Sequence, residues 1–88
     1  MIRQLHNKTM YVIYSKKDCP HCDLVEQTFD KNSIPFTKYN LGKDFTREQF
    51  IKEFGKNTFP RVIDKEGNLI GGAKDTILHL MEKEKILL

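Results

Sequence analysis

Apolar residues bunch at intervals along the chain, and the spacing within each bunch alternates between strand-like and helical. Met10-Tyr11-Val12-Ile13-Tyr14 is a continuous apolar and aromatic run, the pattern of a buried strand. Lys16 to Cys19 is a short polar loop. Pro20 suits the first position of a helix, where no backbone donor is needed. Leu24, Val25 and Phe29 then recur at helical spacing as far as Asn32. Pro35 ends that helix, and Phe36-Thr37-Lys38-Tyr39 alternates as a second strand.

Thr46 and Gln49 have capping-box spacing, with Phe45 and Phe50 in the hydrophobic-staple positions around them. The helix that follows is expected to bury Phe50, Ile51 and Phe54 and to end at Gly55. Arg61-Val62-Ile63 and Asn68-Leu69-Ile70 read as short strands joined through Asp64 to Gly67, a turn of about four residues. Gly71-Gly72 is expected to break the second of them. A last helix then runs from Ala73 to about Lys85, with Ile77, Leu78, Leu80 and Met81 inward. The order is β-α-β-α-β-β-α: a parallel β-α-β unit, then an antiparallel hairpin with a covering helix. The class is α/β, a mixed sheet with helices on its faces.

The 88 residues suffice for one domain, expected to span 1–88. Apolar content of 39% with 31% charged residues fits a globular chain and excludes a disordered or fibrous one. The net charge of +3 is spread without a dense basic run, so no nucleic-acid partner is expected. No apolar run approaches the roughly 20 residues of a membrane span. Residues 1–9 carry Arg3, His6 and Lys8 and lack the apolar core of a secretion signal. The expected location is therefore the reducing cytoplasm. A structural disulfide is not expected there, and two close cysteines point to redox chemistry, to a metal or to chance.

Cys19-Pro20-His21-Cys22 stands between the first strand and the first helix. Thiol exchange needs a thiolate, and a free cysteine of pKa near 8.5 is only about 3% ionised at pH 7. A helix N-terminus offers unpaired N–H groups and partial positive charge, which stabilise an anion. A pKa of about 5 would correspond to roughly 4.8 kcal/mol of such stabilisation. Cys19 is placed at that end and Cys22 one turn inside on the same face, so Cys19 attacks and Cys22 resolves. Pro20 stiffens the turn. Lys16 and Lys17 add positive charge, and Asp18 opposes them. His21, if charged, favours the thiolate and a more oxidising couple; its plainer reading is a solvent-facing residue. Zinc wants four ligands. His21 lies badly between the cysteines, His6 in a polar tail and His79 in the last helix, so no metal site is expected. A strand, a cysteine pair and a helix in this order disfavour a chance pair.

Three separated signatures resemble those of a dithiol glutaredoxin, over about residues 10 to 85. They are Cys19-Pro20-His21-Cys22 with Lys16 ahead of it, Thr58-Phe59-Pro60, and Gly71-Gly72 followed by Asp75. The resemblance implies a thioredoxin-like fold, a four-stranded mixed sheet flanked by three helices. It implies an enzyme that reduces protein disulfides or glutathione mixed disulfides and is restored by glutathione. It implies a cis Pro60, with extended peptide pairing along Thr58 and Phe59. Gly71 and Gly72 permit close approach, and the N–H groups of Lys74 and Asp75 suit a carboxylate. Asp75 would accept from the γ-glutamyl amine, and Lys16 and Arg47 would pair with the glycine carboxylate.

Three residues depart from the pattern: His21 replaces Tyr, Phe59 replaces Val, and Lys74 stands where Ser, Thr or Asp is frequent. The implied partners are glutathione and disulfide-bearing proteins, ribonucleotide reductase being family-typical, acting on a monomer. Two other readings compete. A thioredoxin-like donor recharged by a flavoprotein reductase is disfavoured by the Lys16 and Asp75 pairing. A glutathione-ligated [2Fe–2S] carrier is disfavoured by Pro20.

Overall fold

The computed structural model describes residues 10–56 and 58–86. The readings made for residues 1–9, His6 included, lie outside the described residues. The elements are β1 (Tyr11–Ser15), α1 (Pro20–Lys31), β2 (Phe36–Asn40), α2 (Arg47–Phe54), β3 (Arg61–Ile63), β4 (Leu69–Gly71) and α3 (Ala73–Lys83). The order matches the expectation. The four strands form one mixed sheet in the order β2-β1-β3-β4. β1 runs parallel to β2 and antiparallel to β3, and β3 and β4 form the antiparallel hairpin. This is the sheet and helix complement of a thioredoxin-like fold.

β1 is central and buried along its whole length, which is why its sequence is apolar at successive positions. Its alternation splits the core in two. Tyr11 and Ile13 pack with Val25 and Phe29 of α1 and Leu80 of α3 on one face. Val12 and Tyr14 pack with Phe45 and Phe50 beside α2 on the other. Fully burying a side chain such as Phe29 or Phe50 contributes about 1.5–3 kcal/mol. The α2 start forms as its sequence dictates: Thr46 N–H donates to Gln49 Oε1 at 2.9 Å, and Gln49 N–H donates to Thr46 Oγ1 at 3.1 Å. Gly55 closes that helix in the left-handed conformation, which a residue without Cβ adopts freely.

The structure corrects several inward assignments. Ile51 is 41% exposed, Leu78 53% and Met81 42%, and Leu24 of α1 also faces out. In α3 the buried positions are Thr76 and Leu80, with Ile77 only half buried. Positions 76 and 80 are four apart and share a stripe, and 78 and 81 lie off it. An apolar residue beside the stripe looks the same in sequence as one on it. The strand and helix ends also move. Gly71 is the last residue of β4 rather than its breaker, and α3 stops at Lys83, with Glu84 as its cap and Lys85 at positive φ.

Candidate active site

The sheet register assembles the site. β1 and β2 are parallel, so both deliver their following segments to the same edge of the sheet. Tyr14 pairs with Arg61, which brings the residues after Ser15 beside those before Arg61. Val62 pairs with Gly71, which adds the start of α3 to the same edge. The cysteine loop, Phe59-Pro60 and Gly71-Gly72, distant in sequence, thus converge beyond the carboxyl ends of the parallel strands, where open α/β sheets place their ligands.

Cys19 is the N-cap of α1, in extended conformation, and its Sγ accepts the Cys22 backbone N–H at 3.2 Å. Cys22 sits in the first turn, and the two sulfurs are joined as a disulfide across a Cα separation of 5.2 Å. Pro20 occupies the first helical turn, as its missing donor allows. Cys19 retains 5% exposure, whereas Cys22 has none, so an incoming sulfur meets Cys19. His21 is exposed, and its side chain makes no hydrogen bond or ion pair among the described residues.

The Phe59–Pro60 peptide bond is cis. Pro60 is buried, and its carbonyl oxygen lies 3.8 Å from where a Cβ on Gly72 would stand. The proline loop and the start of α3 are therefore in contact. Gly71 has φ +129°, and a Cβ there would come within 2.7 Å of Asp75 Oδ2. Asp75 thus folds back over the glycine at the N-terminus of α3. Lys16 places its ammonium 5.7 Å from the centre of the Phe59 ring. The Thr58 hydroxyl accepts from Arg61 Nη2 at 2.6 Å. Arg47, at the start of α2, and Lys74, at the start of α3, are exposed, and their side chains make no hydrogen bond or ion pair among the described residues.

Two features escaped the sequence reading. Asp18, directly before Cys19, has φ +55°, a conformation that Asp adopts more readily than most side chains. Phe59 lies flat on Phe50, with ring centres 4.2 Å apart and planes 15° apart. The aromatic spacing hinted at packing but not at which rings meet. Cavities of about 380 and 180 Å³ open near Lys65 and Glu84, around Ser33 and Pro35 and around Tyr11 and His79. They lie toward the start of β1, away from Cys19. Among the described residues no group of three or more His, Cys, Asp or Glu could hold a metal ion. Nor is any described helix long and apolar enough to cross a membrane.

Residues 11–68 match the family model of glutaredoxin. The chain is a member of the glutaredoxin family. It is 31% identical, over 75 residues, to an uncharacterised glutaredoxin-like 8.6 kDa protein in the rubredoxin operon of Clostridium pasteurianum; the match covers 84% of this chain and 100% of that one. Wheat glutaredoxin shares 27% identity at a TM-score of 0.69, over 84% of this chain and 71% of the other. Glutaredoxin 1 from Francisella tularensis, solved with cacodylate, superposes at a TM-score of 0.73 with 21% identity, over 88% and 98% of the two chains. A buckwheat glutaredoxin–glutathione complex gives 0.69 and 24%, over 90% and 74%. The last two show the fold. In this glutaredoxin the disulfide-capable Cys19–Cys22 pair fits the dithiol type. Family and fold with this cysteine pair support thiol–disulfide oxidoreductase chemistry.

Proposed function

We propose that this glutaredoxin reduces glutathione mixed disulfides and protein disulfides in the cytoplasm, with glutathione as its reductant. The observation that carries the reading is the placement of Cys19 Sγ as the N-cap acceptor of α1. In the reduced protein that sulfur sits among unpaired N–H donors at the positive end of a helix dipole, which favours its ionised form. Cys19 thiolate attacks one sulfur of the substrate disulfide. A mixed disulfide forms, and the departing thiolate takes a proton from solvent. Cys22 then loses its proton and attacks Cys19 Sγ, which expels the second substrate thiolate and leaves the Cys19–Cys22 disulfide. Two molecules of glutathione supply the two electrons that reopen it, and they leave as one glutathione disulfide.

The surface beside Cys19 suits a short anionic peptide. The backbone at Phe59 pairs with extended chain. Asp75, folded over Gly71, receives an amine, and Lys16, Arg47 and the N–H groups at the start of α3 receive carboxylates. Thr58 contributes its backbone, and its hydroxyl accepts from Arg61.

The test is glutathione-coupled reduction of a glutathionylated peptide by the wild type, Cys19→Ser and Cys22→Ser. Cys19→Ser is expected to abolish turnover, and Cys22→Ser to retain part of it, because the exposed sulfur alone can exchange one glutathione. Equal loss in both variants would restrict the protein to dithiol exchange with other proteins.

A further inference from the structure

Lys16 is exposed and forms no ion pair among the described residues; its ammonium lies over the Phe59 ring, 5.7 Å from the ring centre. A lysine stem samples many rotamers, so an ammonium needs a reason to stay in one place. The Phe59 ring supplies one only if it is itself fixed, and it is. It lies on Phe50 at 4.2 Å and 15° and faces Phe45 at 6.1 Å and 19°. Phe45 and Phe50 stack on each other at 5.5 Å and 26°. Both are buried, and they flank the capping box that begins α2. The three rings form one tight, nearly parallel triangular cluster, and the Lys16 ammonium lies over the Phe59 ring.

We propose that Phe59 is a positioning residue, whose ring, held flat by Phe45 and Phe50, keeps the Lys16 ammonium at the groove beside Cys19 to recruit thiol substrates that carry a carboxylate. The role rests on the glutathione reading given above. It makes the aromatic cluster part of substrate selection: Phe59 acts on the substrate through the lysine. A cation held over a ring face is attracted by the ring quadrupole. Leucine fills much of the same space without that face, and tyrosine keeps it.

Turnover of a glutathionylated peptide and the proton spectrum of Lys16 together test this. Phe59→Leu is expected to raise KM by about two- to fivefold, the size of an exposed cation–ring contact, with the change falling on KM rather than kcat. Phe59→Tyr restores it. On a Lys16→Met background Phe59→Leu adds nothing, and a substrate with its glycine carboxyl amidated is insensitive to Phe59→Leu. The ε-methylene protons of Lys16 are shifted upfield of those of Lys17 by the ring current, and the shift vanishes in Phe59→Leu. A KM rise that is equal on both backgrounds, or no ring-current shift in the wild type, overturns the proposal. A wild type that shows the shift but does not turn over the glutathionylated peptide overturns the glutathione reading, and the recruiting role falls with it.

Discussion

The Asp75 carboxylate lies over the Cα of Gly71, so close that a Cβ on the glycine would stand 2.7 Å from Oδ2. The residue that ends β4 therefore has two reasons to be glycine. Its φ of +129° is strained for any side chain, and its open face receives the first acidic group of α3. Gly71→Ala is expected to cost about 1–3 kcal/mol of unfolding free energy. It is also expected to displace Asp75 and, on the proposed glutathione reading, to lower affinity for glutathione along with stability. Urea unfolding and a glutathione titration of the same variant measure both effects.

Asp18 separates two influences on Cys19. Its φ of +55° is a backbone requirement, and its charge opposes a thiolate next to it. Asp18→Asn keeps the tolerance for the left-handed region and removes the charge. It is expected to hold stability within about 0.5 kcal/mol and to make Cys19 ionise more easily. Asp18→Val places a β-branched residue there and is expected to cost about 1–2 kcal/mol. Denaturation and thiol titration of the two variants distinguish the contributions.

At the far end of β1, Glu84 Oε2 accepts from the Tyr11 hydroxyl at 2.9 Å and pairs with Lys65 at 3.1 Å. Burial alone pushes the Glu84 carboxyl up. The hydrogen bonds from Lys65 and Tyr11, with the charges of Lys65 and His79, outweigh it and hold the group below its ordinary range. The ionised form is therefore the one that favours the fold. Its contribution is complete above the ordinary value of 4.5 and fades as pH falls through the lower folded value. Glu84→Gln should be less stable than the wild type near neutrality, and the difference should shrink toward acid. Unfolding curves of both proteins at pH 7 and below pH 4 check the trend. Tyr11 responds in the opposite sense: burial first, then Glu84, raises its phenol above the ordinary value, so it stays protonated in the folded protein.

Much of this architecture was legible because local and global signals agree. The unbroken run from Tyr11 to Tyr14 reads as a buried strand and is one, and Thr46 with Gln49 marks a helix start that the bonds reproduce. Leu78 and Met81 misled because hydrophobicity reports a preference for cover, while the stripe through Thr76 and Leu80 is set by how α3 lies on β3 and β4. The cysteine pair was readable as a site because its chemistry depends on neighbours in sequence. The Lys16–Phe59 contact was not readable. It exists because Tyr14 pairs with Arg61, a register that no local pattern specifies.

The central claim is that Cys19, capping α1, is ionised near neutral pH. Its most direct test is titration of the reduced protein by thiolate absorbance, with Cys22→Ser to isolate the Cys19 sulfur. The expected midpoint lies well below the free-cysteine value of about 8.5, within the range of about 3.5–7.5 found for thiols at helix N-termini. A midpoint at or above 8.5 would contradict the account.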